Sequence, residues 1–187
     1  MLKSNKHPDI IHCHDWQTGL VPVLLYEMYQ HAGMSHPRVC YTLHNLQHQG
    51  VTGEYVLRAT GLNRHAYFFH QDRLQDNFNR GAINLMKGGI VYANFVTTVS
   101  PHYAWEILNT QQNFGLGHTL QVHRGKVGGI LNGVDYEVWN PEIDRHIPRQ
   151  YGINSLDDKY ENKRALRQRF WLQDALKPIV CYIGRLD

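Results

Sequence analysis

Short apolar runs rich in β-branched residues alternate along the chain with longer runs of helical periodicity. The apolar runs are typical of buried strands and lie at residues 9–13, 38–43, 95–99, 127–131 and 178–183. Apolar residues three and four positions apart predict helices at residues 17–30, 82–93, 101–108, 117–122 and 156–172. Ser155, with Asp158 three residues later, indicates a capped start for the last helix. Strands alternating with helices predict an α/β fold with a parallel sheet and right-handed crossovers.

One long polar segment, residues 46–80, interrupts this alternation and is predicted to hold only short helices. Compact domains rarely keep so long an irregular connection without a functional reason. Aromatic residues in the segment could bind the apolar faces of sugar rings, but packing of the segment onto the domain is the favoured explanation for them. The aromatic residues in question are Tyr55, Tyr67, Phe68, Phe69 and Phe78.

Composition narrows the class of protein further. With 187 residues, of which 42% are hydrophobic and 19% charged, the chain is expected to fold around a true core. The net charge of +3 is too mild to indicate nucleic-acid binding. Three widely spaced cysteines indicate reduced thiols. Since no signal peptide and no membrane span fit the sequence, a cytoplasmic protein without a membrane partner is predicted.

Polar residues follow the apolar runs at the points where the predicted strands end. These residues are Asp15, His44, Ser100, Asn132 and Arg185. The carboxyl ends of parallel strands lie on one edge of a sheet, and ligands bind in the crevice outside that edge. The sequence therefore predicts a ligand site there, with the turn at residues 14–16 as its first wall.

Several of these residues also have a plainer structural explanation. Asp15 is placed to act as the N-cap of the following helix. His44 and Asn45 fit a loop stabilised by an Asx turn, and Asn132 before Gly133 is typical of a simple turn. These explanations stay open beside the ligand-site hypothesis.

His12 and His14 form an H-x-H pair, a ligand pattern found in metal-dependent hydrolases. A metal site needs three or four ligands, and no further histidine lies at a fixed spacing from this pair. A hydrogen-bonded strand histidine is therefore the favoured explanation for His12. The hydrolase remains an alternative.

Six motifs, taken in order, resemble the bacterial glycogen synthases and plant starch synthases of glycosyltransferase family 5. They are IHCHDW (11–16), YTLHN (41–45), TTVSP (97–101), ILNGVD with WNP (130–135 and 139–141), NK (162–163) and GRL (184–186). The stretches HQGVTG (48–53) and NRGAINLMKGG (79–89) are most similar to the cyanobacterial enzymes. The resemblance covers essentially the whole chain.

The resemblance implies a GT-B architecture, in which two Rossmann-like domains face each other across a cleft. It also implies an activity in glycogen or starch biosynthesis, the transfer of glucose from ADP-glucose to the non-reducing end of an α-1,4-glucan. The transfer retains the anomeric configuration and uses neither a metal nor another cofactor. The implied partners are a nucleotide sugar and an α-1,4-glucan acceptor.

Catalytic roles follow by resemblance for three residues. His44 contacts the transferred glucose, and its backbone carbonyl lies near the anomeric centre. Asp15 lines the cleft beside the acceptor together with Trp16, which is assigned to substrate binding. Arg185 neutralises the diphosphate of the donor and so counts as both catalytic and substrate-binding.

Asn45 and Asn132 are the remaining substrate-binding residues that the resemblance implies. Asn45 follows His44 at the strand end, and Asn132 reaches the glucose or the contacts of the closed cleft.

The resemblance also divides the chain into parts. Residues 1–140 belong to the N-terminal, acceptor-side domain, residues 141–176 form a linker and helix, and residues 177–187 are the first strand of the nucleotide-binding domain. The family's Lys-x-Gly-Gly-Leu loop, a later Gln-Lys-Gly lysine and a glutamate pair are absent from the chain. We therefore expect a fragment that is inactive alone. The alternatives are a non-catalytic glucan-binding relative and the hydrolase built on His12 and His14.

Overall fold

The computed structural model describes residues 6–173 and 177–185. The strands in these residues form one parallel sheet and one small antiparallel pair. The strands are β1 (Ile10–His14), β2 (Arg38–Leu43), β3 (Val51–Gly53), β4 (Ala82–Asn84), β5 (Phe95–Thr98) and β6 (Val127–Gly129). The sheet order is β1-β2-β5-β6, with every pair parallel, while β3 and β4 pair antiparallel. The predicted α/β fold with a parallel sheet is confirmed.

Seven α-helices accompany these strands within the described residues. They are α1 (Leu20–Glu27), α2 (Tyr55–Ala59), α3 (His65–Phe68), α4 (Leu85–Tyr92), α5 (Pro101–Asn109), α6 (Gly117–Val122) and α7 (Lys159–Arg169). Helices α5 and α6 confirm the predictions for residues 101–108 and 117–122. Ser100 caps α5 by accepting a hydrogen bond from Tyr103 N–H, because a β-region residue with a hydroxyl satisfies a free amide at the helix start.

The chain divides into two compact units, residues 1–132 and 133–187. In the first unit the main core lies at the sheet, where Tyr41, Leu43, Met86 and Ile90 are fully buried. The division at 132 precedes the predicted one at 140. The assignment of these parts to an acceptor-side and a nucleotide-binding domain stays a prediction.

The long segment after β2 packs with α1 and β4 around a second core. The fully or nearly fully buried residues of this core are Val23, Leu57, Leu62, Phe68, Leu74 and Ile83. Phe68 is 2% exposed, and Tyr67 and Phe69 pack against the same cluster, so packing explains these three rings. Tyr55 and Phe78 are 63% and 79% exposed.

Three helix predictions had wrong boundaries. In place of a helix over residues 17–30, the chain forms a 3-10 turn (Trp16–Thr18), α1 and a second 3-10 turn (Tyr29–Ala32). The first break has a cause in Pro22, whose ring excludes the carbonyl of Thr18 from an α-helix. Residues 82–84 belong to β4, and Asn84 then caps α4 by accepting from Lys87 N–H. The last helix begins at Lys159. Ser155 does not cap it, since its hydroxyl accepts from Gly152 N–H at 3.0 Å.

The predicted fifth strand, residues 178–183, is absent. Parallel strands depend on neighbouring strands, and none of the described strands pairs with this segment. Val180 and Ile183 are 94% and 96% exposed, as expected for apolar residues outside a sheet. No helix in residues 6–173 or 177–185 combines the length and the apolar character that crossing a membrane requires.

Candidate functional site

The carboxyl ends of β1 and β2 lie side by side in the first unit. The parallel register pairs His14 with Thr42, and Asp15 N–H donates to the carbonyl of Thr42 at 3.0 Å. The turn after β1 therefore begins next to the loop after β2. The predicted convergence of strand ends is confirmed for Asp15 and His44.

The carboxylate of Asp15 fixes the backbone of the loop after β2. Its Oδ1 accepts from the N–H groups of His44 at 2.8 Å and Asn45 at 3.4 Å. Asp15 has φ 50° and makes no side-chain capping bond to the following 3-10 turn, so the N-cap explanation is wrong. Positive φ is costly for a residue with a Cβ and persists only when surrounding contacts enforce it. The hydrogen bonds to His44 and Asn45 are among the contacts that enforce the positive φ of Asp15.

Three imidazoles form a row at this edge of the sheet. His14 Nδ1 lies 3.0 Å from His44 Nε2, and the rings of His12 and His14 have centroids 4.2 Å apart. Partial desolvation lowers the pKa of the largely exposed His14, the neighbouring His12 and His44 lower it further, and Asp15 opposes them. This combination favours a neutral His14.

His12 is explained by hydrogen bonding within the sheet. Its Nε2 lies 2.7 Å from the hydroxyl of Thr42, which lies 2.6 Å from the hydroxyl of Thr97 on β5. Within the described part of the chain, no group of three or more His, Cys, Asp or Glu side chains is arranged to hold a metal ion. The hydrolase built on His12 and His14 therefore gains no support.

A pocket of about 1080 Å³ opens beside the turn after β1. Trp16 forms one wall, and residues 47–52, which run from the loop after β2 into β3, form another. Asp76, Phe78, Gln111 and Phe114 also contribute to the lining.

Gly50 allows the close contact between these two walls. Its φ is +64°, and a Cβ at this position would lie 2.5 Å from the indole ring of Trp16. Only glycine adopts this conformation without strain and leaves room for the indole. The pocket thus combines aromatic surface with amide and carboxylate groups, a lining that suits a polyhydroxylated ligand.

A buried polar network supports the pocket from below. Asn84 is fully buried, and its side-chain amide donates to Gln49 Oε1 at 2.6 Å and to Asp76 Oδ2 at 2.9 Å. Gln49 in turn donates to the carbonyls of Leu46 and Phe114, both at 2.9 Å. Asn84 therefore ties the loop after β2 to the base of the pocket.

Lys87 and Asp76 provide the charges of this network. Lys87 is 1% exposed, and its ammonium donates to the carbonyl of Gln75 at 2.7 Å and to Asn77 Oδ1 at 2.6 Å. Burial lowers the pKa of Lys87, against the attraction of Asp76 and Asp72. Burial would raise the pKa of Asp76, but hydrogen bonds from Asn79, Asn84 and the neighbouring backbone lower it overall.

The sequence-based hypothesis missed this network. A lysine within the apolar run LMKGGIVY (85–92) was the available signal, because a lysine is almost never fully buried without partners.

Other predicted site residues occupy different positions. Asn45 Oδ1 accepts from Gln47 N–H at 2.9 Å, as the Asx-turn explanation predicts, and its substrate-binding role stays a prediction. Asn132 is exposed at the end of the first unit, and Arg185 lies exposed in the second. Their roles also stay predictions. Ser100 is accounted for by its cap on α5.

The chain is similar to glycogen and starch synthases over its whole length. A family model described as the starch synthase catalytic domain matches residues 1–122. Glycogen synthase 1 of Synechococcus sp. (strain JA-3-3Ab) is 64% identical over 187 residues. Glycogen synthase 2 of Methylococcus capsulatus is 63% identical over 187 residues. Each match covers 100% of this chain, whereas the chain spans only 38% of each relative.

A solved structure shows the same similarity in three dimensions. The catalytic domain of starch synthase IV from Arabidopsis thaliana, bound to ADP and acarbose, matches with a TM-score of 0.80 and 41% identity. The match covers 94% of this chain and 36% of the plant protein's chain.

Proposed function

Since the chain belongs to the family of the starch synthase catalytic domain, as its motifs predicted, we propose that it is part of a glycogen synthase. The complete protein is proposed to transfer glucose from ADP-glucose to the non-reducing end of an α-1,4-glucan, with retention, in the cytoplasm. The identity of 64% to a glycogen synthase along the entire chain carries this proposal. Neither a metal nor another cofactor enters the proposed reaction.

The pocket beside Trp16 is proposed to receive the glucan acceptor. An indole face packs against sugar rings, and the surrounding side chains supply hydrogen-bond partners for hydroxyl groups. Gln47, His48 and Thr52 line this pocket. The presence of acarbose, an oligosaccharide analogue, with the Arabidopsis relative supports a glucan as the acceptor class.

The donor side of the proposed reaction involves His44 and Arg185. The departing nucleoside diphosphate gains negative charge in the transition state, and the guanidinium of Arg185 is proposed to stabilise that charge. His44 is proposed to contact the transferred glucose through its imidazole and to place its backbone carbonyl near the anomeric carbon. Asp15 supports this carbonyl, because its Oδ1 also accepts a hydrogen bond from Asn45 N–H, which belongs to the same peptide group as the carbonyl of His44.

The proposal is tested by glucose transfer to glycogen, with the complete protein and the 187-residue chain assayed side by side. We expect transfer from ADP-glucose by the complete protein, less from UDP-glucose, and none by the chain alone. Failure of the complete protein to use either donor would contradict the synthase and favour a glucan-binding relative. Transfer by the chain alone would contradict its assignment as an inactive part.

His44→Ala in the complete protein is expected to reduce turnover by at least about tenfold, or ~1.4 kcal/mol of transition-state stabilisation. The imidazole is lost, but the backbone carbonyl remains in place. Initial rates with saturating ADP-glucose and glycogen measure the effect. His102→Ala is the matched control, because His102 is exposed on α5 and contacts Glu106 of its own helix. Near-normal turnover of His44→Ala would remove His44 from the catalytic residues.

A further inference from the structure

We propose that His14 is a positioning residue, which holds the imidazole of His44 in the orientation that glucose transfer requires. The inference rests on the proposed function and deepens it. Its basis is the 3.0 Å contact between His14 Nδ1 and His44 Nε2, with the two rings stacked at a centroid distance of 5.2 Å. A direct bond between side chains of two strand ends fixes one ring relative to the other.

The backbone of His14 is itself held rigidly, as a positioning role requires. Its N–H donates to the hydroxyl of Thr18 at 2.7 Å, and the same hydroxyl donates to the carbonyl of His14 at 2.7 Å. The imidazole of His14 contacts both that of His12 and that of His44. His14 is exposed and adds nothing to the hydrophobic core, so core packing does not account for its type.

Asp15 and His14 restrain different parts of His44. Asp15 accepts from the backbone N–H of His44 and so fixes where its main chain lies. His14 contacts the ring nitrogen and so fixes the side-chain torsions. Consecutive residues of β1 and its turn thus restrain both parts of the proposed catalytic residue.

The hydrogen bond between the two rings depends on their protonation. It needs one proton between Nδ1 and Nε2, and it survives when one of the rings becomes an imidazolium that donates to the other. When both rings are protonated, two N–H groups face each other and the bond is lost. The groups that face His14 are His12 on its own strand, His44 after β2 and the carboxylate of Asp15. The two histidines disfavour its protonation and the carboxylate favours it.

Two substitutions separate positioning from general stability. His14→Asn keeps a hydrogen-bonding atom near the position of Nδ1 but does not titrate, whereas His14→Leu removes the bond. In the complete protein, we expect His14→Leu to lower kcat by about tenfold with little change in KM, and His14→Asn to restore kcat to within about threefold. His36→Asn is the control, because His36 pairs with Asp9 beyond the opposite end of β1.

The pH profile provides a readout that a merely structural role would not change. The wild-type kcat is expected to fall toward acid pH, where both rings carry two protons and their hydrogen bond is lost, and the profile of His14→Asn is expected to be flatter there. Equal kcat for His14→Leu and wild type, or identical acid limbs for His14→Asn and wild type, would overturn the proposal.

An NMR measurement distinguishes failure of this inference from failure of the proposed function. Imidazole ¹⁵N shifts of His44 in the complete protein report its tautomer without any turnover. We expect them to change in His14→Leu and to stay unchanged in His36→Asn. If the wild type transfers no glucose, the proposed function is wrong, and the ¹⁵N shifts alone then test whether His14 positions the imidazole of His44. Unchanged His44 shifts in His14→Leu would overturn the positioning role.

Discussion

Asp15→Ala in the complete protein is expected to reduce the turnover of glucose transfer by about a hundredfold, the loss typical of a misplacement of about 1 Å at a reacting centre. The substitution removes the acceptor for the N–H groups of His44 and Asn45. The loop after β2 then loses the carboxylate bonds that tie its backbone to the turn after β1. Both the imidazole and the backbone carbonyl of His44 shift, which is why the expected loss exceeds that of His44→Ala.

Initial rates at saturating substrates measure this effect, and two variants provide the comparison. Asp15→Asn keeps the Oδ1 acceptor and is expected to retain at least about ten times the turnover of Asp15→Ala. Asp9→Ala removes an exposed carboxylate before β1, at the other end of the strand, and is expected to behave as wild type. If Asp15→Ala kept turnover within threefold of the wild-type value, the link between the two strand ends would have no catalytic importance.

The alternation of short apolar runs with helical runs was sufficient to predict the parallel sheet. Central parallel strands are buried on both faces, so β2 and β5 stand out in the sequence as short runs of mainly β-branched and aromatic residues. The convergence of Asp15 and His44 followed from the same pattern, because parallel strands place their carboxyl ends on one edge.

The atomic role of Asp15 was beyond prediction from sequence. An aspartate before a helical run is an ordinary N-cap, and only the pairing of β1 with β2 brings the backbone of His44 within 2.8 Å of its carboxylate. The two residues are 29 positions apart. The local preference of Asp15 for an N-cap role was therefore overridden by its tertiary hydrogen bond to His44 N–H.

The strand prediction for residues 178–183 was wrong because a tertiary contact was missing, whereas for Asp15 a tertiary contact decided the outcome. Its composition is typical of a strand, but strand formation is decided by a hydrogen-bonding neighbour rather than by composition alone. The described strands offer it none, and Val180, Tyr182 and Ile183 remain exposed.

The buried network below the pocket leads to the largest expected effect on stability. Asp76→Ala should lower the free energy of unfolding by about 3 kcal/mol, because it removes the carboxylate that most favours the charge of the buried Lys87 ammonium. It also removes the acceptor for the Phe78 and Asn79 N–H groups and for the Asn84 side chain. Urea unfolding at pH 7, followed by far-ultraviolet circular dichroism, measures the change.

Asp72→Ala is the matched control, since Asp72 also attracts Lys87 but its side chain is 75% exposed. Its expected effect is below about 0.5 kcal/mol. The pH dependence has a definite sign, because folding lowers the pKa of Asp76 below its ordinary value of 3.8. The stabilisation by ionised Asp76 is therefore complete well above pH 3.8 and is lost as the pH falls through the lower, folded-state pKa. Equal destabilisation by Asp72→Ala and Asp76→Ala would show that bulk charge, rather than the buried network, stabilises Lys87.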